Sequence, residues 1–492
     1  MEDKGEKKSA ATVLVEIARE LYEFGISDTS EPFGVPRSGP KVVRQLRGGQ
    51  TSLRAQLASE HFRRFGKVAP QQALTDALQT IEGFAQDQQP QPLELRVDRH
   101  GNDLWLDLGD TTGRAVRITA AGWTVEDSAP VLFRRTELTA ALPEPVAGGD
   151  LGELWAWLNV TEADRPLVAA WLAAALFPTI PHPALFLSGE QGTGKTTAGR
   201  VLIGVVDPSP APMHQPPRDA KTWTMTAASS WIVGLDNLSE IQPWLSDSMC
   251  RAVTSAADAR RQLYTDANLK VSAYRRCLLI NGIDVGEIKG DLAERMLPIG
   301  LHTIDEADRR TEEELWRAWE QAHPRLVGAV LDLTVRVLAA LPTVQLERKP
   351  RMADYARILA AVDHVLGTEG LARYLATLNN AAVDNLSADP FVSALAVHFA
   401  GKEVTGTAAE LLAKVQPFDL FRVPKGWPTT ARQVTQLLKR QAPTMRKAGW
   451  TITDDGARNR EKALRWTITA RSRDRTPSWA SRTEDQQELD VA

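Results

Sequence analysis

The sequence predicts an α/β core built on a parallel sheet. Around it are an N-terminal helical and small β region, a helical segment, and a C-terminal module of helices and two strands. Three observations predict this. Between about residues 183 and 304, short apolar runs alternate with helical patterns, as in a parallel sheet covered by helices. One strand-to-helix passage there, PALFLSGEQGTGKTTAGRVL from Pro183 to Leu202, turns glycine-rich between its two halves. On either side helical periodicity dominates, interrupted between Leu93 and Arg135 by short alternating runs.

Bulk properties narrow the class. A chain of 492 residues is too long for one hydrophobic core and implies several domains. Hydrophobic residues at 43% and charged residues at 24% are those of a soluble globular protein. The net charge of −4 requires any basic surface to be local. The two cysteines, Cys250 and Cys277, support neither a disulfide framework nor a thiolate zinc site, and fit a reducing cytoplasm. No apolar run approaches the roughly 20 residues that span a bilayer. The charged start MEDKGEKKSA lacks the apolar stretch of a signal peptide, so a cytoplasmic protein with no membrane partner is expected.

Along the chain, 1–92 reads as a helical region, with VLVEIARELYEF and ALTDALQTIEGF separated by SDTSEPFGVPRSGP. In 93–150 the runs LELRV, LWLDL, AVRITA and VLFRR predict a small antiparallel sheet, followed by the linker LPEPVAGGD. A tryptophan-rich helical stretch, 151–177, opens the α/β region 151–305; 306–389 is helical, 390–470 compact and basic, and 471–492 a polar tail that reads as disordered. Trp155, Trp157, Trp171, Trp316 and Trp319 sit in helical patterns as core anchors, and Trp427, Trp450 and Trp466 pack the C-terminal unit.

GEQGTGKT, from Gly189 to Thr196, matches the phosphate-loop pattern G-x-x-x-x-G-K-[ST], between the strand ALFLS and the helix TTAGRVLIGVV. Backbone N–H groups of Gly189, Glu190, Gln191, Gly192, Thr193 and Gly194, with the helix start, can surround phosphate oxygens. Lys195 would reach the β- and γ-phosphates of ATP, Thr196 would ligate Mg²⁺, and Thr197 would lie toward the helix packing. A second metal-side carboxylate is Asp236, at the tip of the apolar run WIVGL. Beside it stands Asn237, an amide that can orient a water but cannot act as a base; Glu240 and Glu190 are the nearest substitutes. The run CLLING ends in Asn281. Two readings stay open for it: a turn residue before glycine, or an amide touching the γ-phosphate or the attacking water. In GDLAERMLPIGL, Arg295 is placed as an arginine offered to a neighbouring subunit's γ-phosphate, with Arg309 and Arg310 behind it.

These residues together resemble the ATPase domain of superfamily 3 helicases within the AAA+ class, most of all the helicase half of bacterial, plasmid and phage primase-helicases. GEQGTGKT, WIVGLDN, ARRQLYTDANLK, LLING and ERMLPIGL carry the likeness, which covers about 150–305. It implies a homo-oligomeric ring, usually a hexamer, moving on single-stranded DNA. It also implies a hairpin between the acidic and Asn-tipped strands whose basic residues face the channel. Here that interval holds Arg260, Arg261, Tyr264 and Lys270. No primase half is evident, so a separate primase or polymerase partner is implied. Asp103, Asp107 and Asp110 could suggest a metal site, but Asp103 and Asp107 fit the polar ends of a hairpin strand and no histidine-bearing motif follows.

The C-terminal stretch reads helix, helix, helix, then two strands around a polar loop, the winged-helix order. Thr429 or Thr430 caps the second helix, and Gly449 closes a short helix PTMRKA. Residues 401–475 hold 16 Lys/Arg against 7 Asp/Glu, a nucleic-acid footprint. Arg432, Lys439, Arg440, Arg446 and Lys447 fall on the helices; Arg458, Arg460 and Lys462 fall in the wing. The expectation is an ATP- and Mg²⁺-dependent helicase or translocase acting on single-stranded or forked DNA in replication of a phage, plasmid or bacterial element. The alternative is an ATP-gated DNA-binding switch, which Asn237 favours, or a defence-type NTPase, with weak hydrolysis and no unwinding.

Overall fold

The computed structural model describes residues 8–470 apart from 48–51, 255–257, 262–268, 273, 283–287, 289, 400, 416, 418–422, 425 and 457–462. The chain forms two units, Met1–Arg373 and Tyr374–Ala492.

The first unit begins with α1 (Ala10–Leu21), whose N-terminal amides are capped by the Ser9 hydroxyl. It runs directly into β1 (Tyr22–Ser27), which pairs antiparallel with β2 (Pro32–Pro36); β3 (Arg44–Gln45) continues the sheet. Then α2 (Leu53–Phe65) and α3 (Gln71–Gln86) bury Leu57, Ala77, Leu78 and Ile81 against Leu14 and Ile17 of α1, and β4 (Pro90–Gln91) adds to β1 in parallel. The all-helical expectation for this region is therefore corrected. Helical spacing stops at Leu21, and YEFGIS, with its aromatic and β-branched side chains, continues as a strand of alternating burial.

A four-stranded antiparallel meander follows: β5 (Val97–His100), β6 (Asp103–Asp107), β7 (Ala115–Thr119) and β8 (Gly122–Glu126). Its last strand is GWTVE rather than VLFRR, because a tight turn after Thr119 brings the chain straight back. VLFRR instead bridges Glu94 through Phe133 and sends Arg135 onto both carboxylate oxygens of Asp107 at 2.9 and 2.7 Å. Asp103 and Asp110 are likewise paired, with Arg117 and Arg114. Among the described residues no group of three or more His, Cys, Asp or Glu side chains could hold a metal ion.

The linker after residue 142 lies against α9 (Glu312–Ala340) so closely that both sides need glycine. A Cβ on Gly328 would stand 1.7 Å from the Val146 carbonyl oxygen, and one on Gly149 would stand 2.1 Å from that of Arg325. The expected helix from Leu151 is two short 3₁₀ turns, Leu151–Ala156 and Glu162–Asp164. Regular helix starts only with α4 (Arg165–Ala174), where Pro166 pre-sets the backbone of the first turn.

The core sheet contains β9 (Ala184–Ser188), β10 (Met213–His214), β11 (Ile232–Leu235), β14 (Cys277–Gly282) and β15 (Met296–Gly300), in the order β10-β11-β14-β9-β15 and parallel throughout. Its inner strands are buried on both faces, hence their unbroken apolar sequences. The connections carry α5 (Lys195–Val206), α6 (Ala220–Ser229), α7 (Pro243–Thr254) and α8 (Gly290–Ala293). Between α7 and β14 stands the hairpin of β12 (Asp258–Arg261) and β13 (Leu269–Ser272). After α9, α10 (Ala353–Leu366) packs on α4 and α9; the division between units falls in α11 (Gly370–Ala388).

The second unit contains α12 (Pro390–Phe399), β16 (Glu403–Thr407), α13 (Ala408–Lys414), α14 (Ala431–Lys447), β17 (Thr451–Asp454) and β18 (Arg465–Thr469), with antiparallel strand order β16-β18-β17. Strand β16 was invisible in a five-residue run, EVTGT, that contains glycine and buries only alternate positions. The two expected helices within 431–448 are one. The buried stripe Val434, Leu437, Leu438, Ala442 and Met445 runs through Pro443 and holds the helix together despite the lost N–H. Thr430 is the cap, in a reciprocal box with Gln433, and Gly449 takes a left-handed φ of 86°. Trp171, Trp319 and Trp466 are buried as expected. No helix among the described residues is long and apolar enough to cross a membrane.

Replacing Gly328 with alanine forces the linker and α9 apart, so urea unfolding should show a loss of about 2 kcal/mol or more, the cost typical of overpacking. A second expectation concerns His182, which is fully buried against Trp231 with Nε2 unpartnered and its pKa pulled down by burial to about 3. The unfolded chain takes up a proton near pH 6.5 that the folded chain refuses. Stability is therefore complete above that pH and lost as pH falls from 6.5 toward 3. Thermal melts across this window should show a shallower acid slope for His182→Phe than for the parent.

Candidate functional site

Three neighbouring strands of the parallel sheet deliver the site. In the order β11-β14-β9, their carboxyl ends carry Asp236, Asn281 and the glycine loop 189–194. This is the edge at which open α/β sheets place ligands. The loop turns into α5 through Gly192 and Gly194, at φ 86° and 75°, conformations that a Cβ would strain. Gly194 is the N-cap of α5 and supplies no side chain, so the first-turn amides face outward without a side-chain acceptor. The first backbone bond closed there is from Ala198 N to Gly194 O, at 2.9 Å.

Lys195 folds back over the loop. Its Nζ donates to the carbonyl oxygens of Gly189 and Glu190 at 2.8 and 2.6 Å, and lies 3.4 Å from Thr193 Oγ1. Burial holds its ammonium below the usual lysine range, with Asp236 opposing that shift. The Thr193 hydroxyl is buried and donates to Glu190 O at 3.0 Å, which shapes the loop; Glu190, Gln191 and Thr196 are exposed, and Thr197 is half-buried at the start of α5.

Opposite the loop, Asp236 Oδ1 accepts from Thr196 Oγ1 at 2.9 Å and from Asn281 Nδ2 at 2.7 Å. The Asn281 carbonyl oxygen accepts from Asn237 N at 2.6 Å. One buried amide thus grips both residues at the tip of β11, and its orientation is set by donor on one side and acceptor on the other. Of the two readings of Asn281, the structure favours neither a simple turn nor a free side chain: it is a brace between strands. Asn237 takes a left-handed φ of 55°, a conformation asparagine tolerates better than most residues. Glu240 is exposed.

Arg295 requires a correction. It is 8% exposed, its Nη1 pairs with Asp291 Oδ2 at 2.5 Å and donates to Asp291 O at 2.8 Å, and it lies 3.7 Å from Cys250 Sγ. A guanidinium committed to the interior in this way is not presented to a neighbouring subunit. Arg309 and Arg310 are exposed.

The remaining basic residues divide. Arg260, Arg261 and Lys270 lie on the β12–β13 hairpin, where Arg260 pairs with Lys270 and Arg261 with Leu269; Tyr264 lies outside the described residues. Arg432, Lys439 and Arg446, seven residues apart, share one exposed face of α14 opposite its buried stripe, with Arg440 and Lys447 also exposed. Arg458, Arg460 and Lys462 lie outside the described residues.

An α/β core with a phosphate-loop-like turn, followed by a helical and a small mixed α+β unit, is the class this geometry defines. Residues 152–385 match the family described as actinomycete integrative conjugative element replication protein, and residues 391–483 match its C-terminal domain. The chain belongs to this replication-protein family of mobile elements. No curated protein matches it in sequence. Among solved structures, the apo NrS-1 C-terminal region is similar at 11% identity, with a TM-score of 0.40, over 94% of this chain and 100% of that one. A structure described as the active SCCmec type IV Cch helicase is similar at 11% identity, with a TM-score of 0.41, over 92% and 93%.

The brace can be tested without assuming any activity. Asn281→Asp places a carboxylate where an amide now donates to Asp236, so one of the pair must hold a proton in the folded state. With its folded pKa raised above the unfolded value, the variant's deficit should grow as pH rises. Its melting temperature should fall further below the parent's at pH 8 than at pH 5.

Proposed function

We propose that this chain is an ATP-hydrolysing, helicase-type replication protein of the superfamily 3 AAA+ kind, acting as a homo-oligomeric ring on single-stranded or forked DNA. In this reading residues 151–305 are the ATPase domain and 390–470 a winged-helix DNA-binding module. The observation that carries it is the meeting of Thr196, Asp236 and Asn281 at adjacent strand ends, beside a glycine-led helix start with no cap of its own.

The residues suit a magnesium-bound triphosphate. Outward amides and a left-handed glycine turn form a cradle that side chains at 192 and 194 would narrow. Lys195, now spent on loop carbonyls, has an anion to exchange them for. Thr196 and Asp236 offer one hydroxyl and one carboxylate, the small protein share that Mg²⁺ takes when phosphates and waters complete its shell. Bound there, the metal would neutralise charge developing on the transferred phosphoryl group. Asn281 holds Asp236 in place, and Asn237 brings to the same strand tip an amide that could orient a water but not remove its proton.

Two features support DNA as the track. The β12–β13 hairpin carries Arg260, Arg261 and Lys270, and α14 presents a basic face in a unit whose order, α12-β16-α13-α14-β17-β18, follows the winged-helix plan. A second reading, an ATP-gated DNA-binding switch with slow turnover, is favoured by Asn237, where a glutamate would serve as base.

ATP turnover should be stimulated by single-stranded DNA, and Lys195→Ala should lower it roughly hundredfold or more. Parent turnover equal to that of the mutant under every DNA condition defeats the hydrolase reading. Turnover without strand displacement on a forked duplex selects the switch.

A further inference from the structure

We propose that Arg309 is a phosphate-contacting arginine of its own subunit's nucleotide site, closing over the glycine loop in cis. This rests on the nucleotide reading above and adds to it a residue and a direction of action.

The segment that follows β15 runs along the loop as a second wall. Leu301 N donates to Ser188 O at 2.8 Å, and a Cβ on Gly189 would stand 2.8 Å from Leu301 O. His302 and Asn159 exchange two hydrogen bonds, from His302 N at 3.0 Å and from Asn159 Nδ2 at 2.8 Å, which tie the segment to the body of the unit. Ile304 comes next, its Cδ1 3.2 Å from where a Cβ on Gly194 would be. A 3₁₀ turn, Glu306–Asp308, then brings Arg309 back, and Arg309 Nη2 lies 3.9 Å from the Cβ position of Gly192. Two residues later Thr311 opens α9 with a capping box, so the arginine hangs between two fixed points.

The charge environment makes this placement informative. Asp305, Glu306 and Asp308 precede Arg309, and Glu312, Glu313 and Glu314 follow it. Yet among the described residues Arg309 forms no ion pair: Glu314 is used by the Thr311 cap, Glu313 by Arg317, and Glu312 lies near Arg200. An exposed guanidinium that bypasses six nearby carboxylates and lies over an anion cradle is placed for a ligand's phosphate. Its planar fork suits phosphate oxygens beyond those Lys195 reaches as a point charge. Arg295, by contrast, is held inside by Asp291.

The test separates cis from trans and both from failure of the site itself. With a fluorescent ATP analogue and its ADP counterpart, Arg309→Ala should weaken the triphosphate about tenfold or more and the diphosphate much less, and Arg309→Lys should recover part of the loss. Arg309→Ala and Lys195→Ala chains are then co-expressed, co-purified and assayed for ATPase. A cis arginine leaves every site in the mixture incomplete, so no turnover returns. A trans arginine completes sites where an intact loop meets an intact Arg309, and regained turnover overturns the proposal. An unchanged ATP-to-ADP preference in Arg309→Ala also overturns it. If the parent binds neither analogue better than Lys195→Ala, the nucleotide reading itself falls.

Discussion

The geometry of the candidate site depends on a carboxylate at the opposite end of the sheet. Asp207, the C-cap of α5, is 6% exposed and uses both oxygens: Oδ1 accepts from Arg96 Nε at 2.8 Å, and Oδ2 accepts from the amides of Trp231 and Ile232, each at 2.9 Å. The helix that ends at Asp207 begins at Lys195, and the strand that begins at Ile232 ends beside Asp236. One carboxylate therefore sets helix and strand in register at their far ends, and Thr196 meets Asp236 at the near ends as a consequence. Arg96 extends the constraint to the small antiparallel sheet, since its other nitrogens donate to the carbonyls of Asp107, Ala140 and Pro208. Each charge is fully bonded within a buried setting, the condition under which such a pair holds, and removing either partner would leave an uncompensated charge worth about 3–5 kcal/mol.

The same logic explains what the sequence revealed and what it hid. The glycine loop and the strands ending in Asp236 and Asn281 were legible because local chemistry dictates them: apolar runs buried on both faces, a glycine turn, and polar residues only at the tips. The hairpin between α7 and β14 was legible through the family likeness and not through any alternation of its own residues. What escaped depends on distant partners. YEFGIS continues a helical run, and its pairing with β2 and β4 makes it a strand. Pro443 marks a helix end by local rules, but a buried stripe on both sides of it overrides them. Arg295 stands where the likeness to superfamily 3 helicases implies a subunit-bridging arginine. Its real environment is set by Asp291 one turn earlier and by Cys250 on another helix, which no spacing announces.

Asn237 shows how backbone and chemistry constrain one another. Its left-handed φ and its N–H bond to Asn281 fix a tight turn immediately after Asp236. A β-carbon-bearing residue without asparagine's local hydrogen bonding would strain that turn by roughly 1 kcal/mol. The turn that braces Asp236 and the missing base beside it are thus two aspects of one local structure. In the proposed reading, the tip of β11 serves to hold charge and orient water, and the proton must go elsewhere. Slow turnover would follow from that division of labour in the switch reading, which uses the same residues as the motor reading.

Charge distribution completes the argument. With 16 Lys/Arg against 7 Asp/Glu in residues 401–475 and a net charge of −4 for the whole chain, the remaining residues are net acidic. An acidic body repels a phosphate backbone except where basic groups are gathered. Two such gatherings are the hairpin, which lies in sequence between the strands that carry Asp236 and Asn281, and the face of α14 in the second unit. In the proposed reading these surfaces have different work. A hairpin leaving the sheet next to β14 can respond to what happens at Asn281, whereas α14, on a unit of its own, can hold DNA whatever the state of the nucleotide. Grip and motion would then be separable, because the basic residues that retain the nucleic acid are not those tied to the phosphate site.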